Sequence, residues 1–256
     1  MKKLSLSKTI LDIILPIECL GCAKENIWLC AECFKKIRLI KKDKCLVCKK
    51  VSEFGKTHPW CTDKTNLDGV IIAARYGDKL LSDVIYKYKY NFIKKLASPL
   101  SEILINKIIE LDKQEGKPNW VSLLFGHNLI VVPVPLHKRR LRWRDFNQAE
   151  LLAKNLARKF YLDLKPYILE RKKYTQTQIE LKRNKRLKNI QGAFRINKEW
   201  QGQPHTKSTL LRGKLKNTKI LLVDDVTTTG STLNECARIL KESGALEVWG
   251  IVLARG

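Results

Sequence analysis

The chain has 256 residues, 44% of them hydrophobic, which is typical of a soluble globular protein with one medium domain and a smaller module. Fifty Lys and Arg residues against twenty-five Asp and Glu residues give a formal net charge of +25. Such an excess favours polyanionic partners, either nucleic acid or phosphate-bearing small molecules, although a Lys-rich genome would give the same composition. No run approaches the roughly 18–20 apolar residues of a membrane-spanning helix, so no membrane insertion is expected.

The N-terminus imitates a signal peptide without completing one. Met1-Lys2-Lys3 is basic and Ile10–Leu15 is apolar, but Asp12 interrupts the apolar run, Pro16 ends it, and no small-x-small cleavage site follows. We predict a short amphipathic helix over residues 8–15 and a cytoplasmic protein.

Seven of the eight cysteines lie between positions 19 and 61, as three Cys-x2-Cys pairs and a single cysteine. A Cys-x2-Cys step presents two thiolates from one tight turn, which is half of a tetrahedral zinc site. The predicted first site uses Cys19, Cys22, Cys30 and Cys33, and the second uses Cys45, Cys48, His58 and Cys61. An interleaved arrangement of these ligands stays open. Cys236 is predicted to be a small buried apolar residue.

Four protein ligands at each site leave no open coordination position, which indicates structural rather than catalytic zinc. Disulfides are the competing interpretation, but a secreted framework needs an export signal. A segment with so few large apolar side chains needs a metal ion to fold. The sequence therefore predicts a zinc module at residues 1–66 and an α/β domain at residues 67–256.

Strands and helices alternate in the second domain. Strands are predicted at Val70–Tyr76, Leu129–Val134, Ile220–Val223 and Val248–Leu253. Helices are predicted at Leu80–Leu96, Pro99–Leu111 and Phe146–Phe160, with a loop at Gln114–Asn119 and a surface excursion at 197–217. This order indicates an α/β fold with a largely parallel sheet and ligands at the carboxyl ends of its strands.

A basic segment follows the strand at Leu129–Val134. Two prolines, Pro133 and Pro135, stiffen the exit, and five basic residues fall within the seven positions 138–144. A stiff turn with cations suits a pyrophosphate or a nucleic-acid backbone, because Arg offers bidentate contacts. A solvated basic loop is the alternative.

A second cationic segment spans residues 171–194 and mixes Lys and Arg with Thr, Gln and Asn. It could be a mobile polar cover over a phosphate site or a surface that follows the backbone of a single strand. The nucleic-acid candidates from both segments are Arg140, Arg142, Trp143, Arg144, Arg171, Lys182, Arg183 and Arg186.

The most informative stretch is Lys219–Thr232, in which an apolar strand leads into two carboxylates, a Thr/Gly loop and a helix start. Backbone N–H groups of such a loop and helix start bind phosphate, and the carboxylates can accept hydrogen bonds from sugar hydroxyls. No Gly-Lys-Ser/Thr is present, so this is not a Walker A loop. The stretch resembles the phosphoribosyl pyrophosphate (PRPP) signature of type I phosphoribosyltransferases. The candidate residues are Asp224, Asp225, Thr227, Thr228, Thr229, Gly230, Ser231 and Thr232.

With these elements the chain resembles the ComF family of competence-associated proteins. The resemblance rests on Leu11–Cys22, Val132–His137, Arg144–Gln148, Gln178–Phe194 and Val223–Thr232. It implies a type I phosphoribosyltransferase fold with an N-terminal double zinc ribbon. It also implies that Asp224 and Asp225 contact ribose hydroxyls, that Thr228–Thr232 cradle the 5-phosphate, and that Mg2+ accompanies PRPP. The pyrophosphate loop would be Leu136, His137, Lys138 and Arg139.

Two positions depart from the family pattern. Asp145 stands where Gly usually precedes Phe-Asn-Gln, which would put a carboxylate near a presumed anion site. The last zinc pair reads His58-x2-Cys61 where members often show Cys-x2-Cys, and His is an acceptable zinc ligand.

The leading functional hypothesis is a cytoplasmic accessory factor in natural transformation that handles single-stranded DNA and keeps a PRPP-binding pocket. Other competence proteins would be its partners. The alternatives are an active PRPP-dependent phosphoribosyltransferase in nucleotide salvage and a sensor that binds PRPP without turnover. No residue is assigned as catalytic, and the sequence does not identify the acceptor.

Overall fold

The computed structural model describes residues 16–113, 128–174, 190–197 and 215–256. The predictions for residues 8–15, for Gln114–Asn119, for most of 197–217 and for Lys182, Arg183 and Arg186 lie outside these ranges.

A five-stranded, entirely parallel sheet forms the centre of the fold. Its members are β1 (Gly69–Arg75), β2 (Leu129–Pro133), β3 (Asp163–Leu164), β6 (Lys219–Thr227) and β7 (Glu247–Arg255), in the order β1-β7-β6-β2-β3. The longer strands are almost continuous apolar runs because both faces of the sheet are covered. A separate antiparallel pair joins β4 (Leu169–Arg171) to β5 (Phe194–Ile196).

Helices cover both faces of this sheet. They are α1 (Ala31–Lys36), α2 (Lys79–Tyr90), α3 (Ala97–Asp112), α4 (Lys138–Arg144), α5 (Gln148–Phe160) and α6 (Ser231–Glu242). Alternate residues of β1 point into two cores: Ile71 joins α2, α3 and α5, whereas Val70 and Ile72 join α6 and β5. We name the first the α2/α3/α5 face and the second the α6 face.

Two helix predictions need correction. The helix predicted over Leu80–Leu96 ends at Tyr90, since Phe92 adopts a left-handed backbone with φ +57° that a helix cannot contain. The helix predicted from Phe146 begins at Gln148, because the Asn147 side chain accepts a hydrogen bond from the Ala149 N–H and caps the helix.

The predicted strand at Ile220–Val223 was also too short. β6 runs to Thr227, so Asp224 and Asp225 lie within the strand rather than after it. The register explains this: β2 pairs with β6 only as far as Pro133 opposite Val223, while β7 follows β6 to Arg255 opposite Thr227. Short strands β3, β4 and β5 were not predicted.

Strands β2 and β6 are neighbours at the point where the strand order reverses. The strand that follows β2 in the chain, β3, lies on one side of this pair, and the strand that follows β6, β7, lies on the other. Such a switch point leaves a crevice at the carboxyl ends of the strands, which is where open α/β sheets bind ligands. The acidic pair of β6 stands at this crevice.

The Cys-rich segment is packed on the sheet domain. Lys107 of α3 is fully buried and its ammonium donates to the Asp43 carboxylate (3.1 Å) and to the Ile40 carbonyl. The Ile40 N–H donates to the Ala73 carbonyl of β1 (2.9 Å). The division at residue 66 stays a prediction, and these contacts show how closely its two sides are joined.

Candidate functional site

A cleft of about 580 Å³ opens at the carboxyl ends of β6 and β2. One wall carries the acidic pair Asp224 and Asp225 with Thr228 and Thr232 of the following loop. The opposite wall carries Arg140, Arg144, Gln148 and Arg171, and α2 contributes Tyr86, Lys89 and Tyr90. The cleft therefore combines carboxylates, cations, hydroxyls and aromatic rings, as a site for a charged sugar derivative would.

The acidic pair is electrostatically unequal. Asp225 is buried and its Oδ1 lies 2.9 Å from the Lys89 ammonium, so it has a fixed counter-ion. Asp224 accepts a hydrogen bond from the Asp225 N–H (2.8 Å). Burial and the neighbouring charge of Asp225 raise the pKa of Asp224 to about 7. Asp224 is therefore the carboxylate of this pair that changes charge near neutral pH.

The loop after β6 has the geometry of a phosphate cradle. Gly230 adopts φ +82°, a conformation that glycine reaches without strain, and it immediately precedes the 12-residue helix α6. The Thr229 and Ser231 hydroxyls are 2.5 Å apart, and the Ser231 N–H donates to the Thr229 hydroxyl (3.3 Å). The N-terminus of α6, which is the positive end of its helix dipole, begins directly after Gly230, and Gly230 provides no side-chain cap for it.

Two of the loop threonines face the ligand space. Thr228 and Thr232 line the cleft, whereas Thr227 is buried in β6 opposite Arg255. The Arg255 Nε donates to the Thr228 carbonyl (3.2 Å), and the Gly256 N–H donates to the Thr227 carbonyl (2.9 Å). The C-terminal end of β7 thus holds the start of the loop.

The cationic wall of the cleft contains buried hydrogen-bond donors without an acceptor among the described residues. Arg144 is 7% exposed, and its Nη1 donates to Gln148 Oε1 (3.2 Å). The Nε of Arg144 and the Nε2 of Gln148 are buried without a hydrogen-bond partner among the described residues. Burial lowers the pKa of Arg171 to about 10, which still leaves it charged at neutral pH. Buried donors of this kind are costly unless a ligand accepts from them.

The basic segment after β2 is a helix rather than a loop. Residues Lys138–Arg144 form α4, and His137 caps it by accepting from the Arg139 N–H at its Nδ1 (3.2 Å). Burial and the nearby Arg171 and Arg140 charges lower the pKa of His137, which keeps the ring neutral. Leu136 and Arg140 reach the cleft, while Lys138 and Arg139 are exposed outside it.

The helical geometry divides the nucleic-acid candidates. Arg140, Arg144 and Arg171 line the cleft, and Arg144 is buried there. Arg142 and Trp143 point outward, and Trp143 is 59% exposed with its ring against Phe92 (centroids 5.0 Å apart, edge-on).

Asp145 does not enter the anion site. Its side chain is exposed and pairs with the Lys94 ammonium (2.6 Å), which lowers its pKa. It ends α4 with φ +63°, a conformation that favours glycine. The expected conflict between this carboxylate and a bound anion is therefore absent.

The eight predicted metal ligands meet in the two predicted groups, without interleaving. Within each group the ligand atoms all lie within 4.8 Å of one another. Cys22 Sγ and Cys30 Sγ are 3.6 Å apart, and Cys48 Sγ and His58 Nδ1 are 3.2 Å apart. Zinc–sulfur bonds of about 2.3 Å place tetrahedral thiolates about 3.8 Å apart, so the residues fit a zinc ion.

The pKa values of the cysteine thiols within each group favour a bound cation. Burial acts to raise the pKa of Cys19 and Cys45, but backbone N–H groups around each sulfur lower it to about 6. Burial and the adjacent thiols raise the pKa of Cys33 to about 12 and of Cys61 to about 11. Thiol groups this close together repel one another once they are ionised, so a metal ion is needed for all of them to be thiolates at the same time.

Comparison with known proteins finds a family profile over the part of the chain that carries the acidic pair. The phosphoribosyl transferase domain profile matches residues 147–256, which include the acidic pair, the loop and α5. The chain is 34% identical over 126 residues to Competence protein F of Haemophilus influenzae, covering 48% of this chain and 50% of that one. It is 31% identical over 173 residues to the DNA utilization protein YhgH of Escherichia coli, covering 66% and 65%. It is 26% identical over 227 residues to Competence protein ComFC of Bacillus subtilis, covering 84% and 79%.

The chain belongs to the ComF family. Its matches span half of the Haemophilus protein and about two thirds of the E. coli protein. The fold of this ComF protein is that of a type I phosphoribosyltransferase with an N-terminal Cys-rich segment that fits a zinc ribbon. Across the described residues, every helix is too short or too polar to cross a bilayer.

Sequence reasoning missed the contribution of α2. Tyr86, Lys89 and Tyr90 lie at i, i+3 and i+4, so the helical period alone places them on one face. Gln148 belongs to a family motif in the sequence, but it was not predicted to be a binding residue. The missing information was tertiary: α2 packs beside the start of α5, where the Tyr88 hydroxyl donates to the Gln148 carbonyl (2.9 Å), and this packing brings Tyr86, Lys89 and Tyr90 to the cleft that holds the acidic pair.

Proposed function

We propose that this ComF protein binds PRPP or a related sugar phosphate in the cleft and handles single-stranded DNA during DNA uptake, as a cytoplasmic accessory factor. The observation that carries the first part is the meeting of an acidic pair, a glycine-turned loop at a helix start and buried cationic donors at one switch point. The names of its relatives, competence protein and DNA utilization protein, support the second part.

Each wall of the cleft has a role in binding the ligand. The 5-phosphate would lie on the loop from Thr228 to Thr232 at the positive end of α6. The ribose hydroxyls would donate to Asp224 and Asp225, as the resemblance implies. The pyrophosphate would face the unpaired donors of Arg144 and Gln148. Mg2+ would supply charge to the pyrophosphate oxygens when the ligand is bound.

Calorimetry with Mg2+ and PRPP tests this proposal directly. The wild type should bind, and the double variant Asp224→Asn with Asp225→Asn should bind far more weakly, because a neutral amide oxygen is a weaker acceptor for a ribose hydroxyl than a carboxylate. The matched control is Asp163→Asn at the exposed edge strand β3, which should bind as the wild type does. No binding by the wild type would remove the sugar-phosphate proposal.

The proposed DNA surface lies on the outer side of α4. Arg142 and Trp143 are exposed there, beside the aromatic pair Tyr86 and Tyr90 at the mouth of the cleft (ring centroids 4.9 Å apart). Cations that follow the backbone with aromatic rings for the bases are the usual means of binding single strands. With a net charge of +25, the long-range field also favours a polyanion.

A salt titration tests the DNA proposal. Affinity for single-stranded oligonucleotides should fall log-linearly with salt, with a slope of roughly −0.7 per phosphate neutralised. Arg142→Ala should flatten the slope by that increment, and Trp143→Ala should weaken binding at every salt concentration. Tyr161→Ala is the aromatic control, since Tyr161 is 96% exposed after α5. A salt-independent affinity would contradict DNA handling.

An active phosphoribosyltransferase is the second candidate, and Tyr86 and Tyr90 favour it because aromatic rings beside a ribose site can stack a nitrogenous acceptor. Release of pyrophosphate from PRPP with any of a panel of nucleobases would support it. Strong DNA binding without pyrophosphate release would leave the accessory role.

A further inference from the structure

The second metal group lies directly against the phosphate loop. Leu46 stands between the ligands Cys45 and Cys48 and is 7% exposed. Its Cδ2 is 2.3 Å from the position that a Cβ on Gly230 would occupy. The absence of a side chain at Gly230 is therefore needed twice, for the φ of +82° and for the approach of Leu46.

A second connection leads from the other half of the same metal group. Thr65 and Asn66 follow the ligand Cys61 by a few residues. The Thr65 hydroxyl (2.9 Å) and the Asn66 N–H (2.6 Å) both donate to Asn234 Oδ1. The Asn234 N–H in turn donates to the Gly230 carbonyl (2.8 Å), which closes the first turn of α6.

The first metal group packs elsewhere. Cys19, Cys30 and Cys33 belong to the core of the α2/α3/α5 face, and a Cβ on Gly21 would come within 3.2 Å of Leu80 in α2. Leu46 belongs to the core of the α6 face, with Leu233. The sheet therefore lies between the first metal group and the core that carries the loop.

We propose that the second metal centre positions the phosphate-binding loop through Leu46, so that zinc at this centre and a phosphate ester in the cleft bind cooperatively. This inference rests on the proposed function of the cleft. Zinc fixes the turn from Cys45 to Cys48, and the turn holds Leu46 on Gly230, so the loop is already ordered when the ligand arrives. Once one ligand has ordered the loop, the other ligand binds without the entropy cost of ordering it. The coupling free energy is the same in both directions.

The pattern of the sequence supplies a matched control. Leu20 occupies the same place between Cys19 and Cys22 that Leu46 occupies between Cys45 and Cys48, but it packs on the α2/α3/α5 face. Leu46→Ala and Leu20→Ala both keep all eight metal ligands. We expect Leu46→Ala to raise the Kd for PRPP with Mg2+ by about fivefold or more, within the usual range of coupling, and Leu20→Ala to leave it unchanged. Equal effects of the two variants would overturn the proposal.

Reciprocity gives a second readout that needs no turnover. In an equilibrium competition with a chromogenic chelator, PRPP with Mg2+ should raise the affinity for one zinc ion by about fivefold or more and leave the affinity for the other unchanged. His58→Ala, which removes a ligand of the second group, identifies the affected ion by its loss. A raised affinity for both ions, or for the ion that His58→Ala retains, would contradict the proposal.

Hydrogen exchange separates failure of this proposal from failure of the proposed function. In the absence of ligand, the amides of Ser231–Asn234 should exchange about fivefold faster or more in Leu46→Ala than in Leu20→Ala, because the first turn of α6 opens more often. This result does not depend on PRPP. If the wild type fails to bind PRPP but the exchange differs, the function is wrong and the positioning role stands. If the exchange is the same in both variants, the positioning role is wrong.

Discussion

The two metal groups begin with similar Cys-x2-Cys turns but lie in different surroundings. Cys19-Leu-Gly-Cys22 and Cys45-Leu-Val-Cys48 each place a leucine between two ligands of a turn. The first turn packs against α2, and the second packs against Gly230 at the phosphate loop. A Cys-x2-Cys turn therefore fixes a local shape only. Whether that turn supports a core or a binding site depends on which face of the sheet it meets.

The segment between the groups is anchored independently of either metal. Asp43 and Lys107 form an ion pair whose side chains are 6% and 1% exposed. Burial raises the pKa of Asp43 although Lys107 acts against this.

Loss of a metal ligand should have the largest effect, because a structural zinc site contributes on the order of 10 kcal/mol of binding free energy. Cys22→Ser should unfold the first ribbon. His58→Ala should lower zinc content from two ions to one per chain and weaken PRPP binding. Elemental analysis, circular dichroism and calorimetry distinguish the two variants. Full zinc content in His58→Ala would remove His58 from the ligands.

Removal of the anchor should come next. Lys107→Ala leaves Asp43 buried without a counter-ion, and we expect the free energy of unfolding to fall by about 3–5 kcal/mol. Urea unfolding measures the change. The double variant Lys107→Met with Asp43→Leu removes both charges and should recover most of the loss. If the double variant is as unstable as the single one, the ion pair is not the reason for the instability.

Gly230→Ala tests the contact that distinguishes the second group. A Cβ would collide with Leu46 and would hold a left-handed backbone, so the free energy of unfolding should fall by about 2–4 kcal/mol. Gly77→Ala is the control, since a Cβ there meets nothing within 4 Å. Combining Gly230→Ala with Leu46→Ala should recover the steric part, so additive losses would show that the two residues do not interact.

The smallest expected effect is on pH dependence. The ionised carboxylate of Asp224 should be the binding form, because ribose hydroxyls donate to it. A proton therefore competes with the ligand, and affinity should fall by at most about tenfold per pH unit as the pH drops below about 7. Asp224→Asn should abolish this dependence. Leu46→Ala should lower the affinity at every pH without moving the midpoint, and a moved midpoint would link the metal centre to the acidic pair.

The sequence alone identified features whose chemistry is local. The two candidate metal-ligand groups follow from Cys-x2-Cys spacing, and the proposed phosphate loop follows from an apolar strand, two carboxylates and Gly230 in unbroken order. Both depend on residues close together in the chain, so their spacing carries the geometry. The parallel sheet also follows, because buried parallel strands are apolar runs that alternate with amphipathic helices.

Which distant side chains complete the site depends on the tertiary packing. Lys89 is the counter-ion of Asp225, and Arg144, predicted as a nucleic-acid candidate, lines the cleft. Asp145, expected near the anion, forms an ion pair with Lys94, and Leu46 packs against Gly230. These pairings join residues from about fifty to nearly two hundred positions apart. Local propensity and spacing carry no information about such contacts, since they depend on how the helices pack on the sheet and where β2 leaves β6.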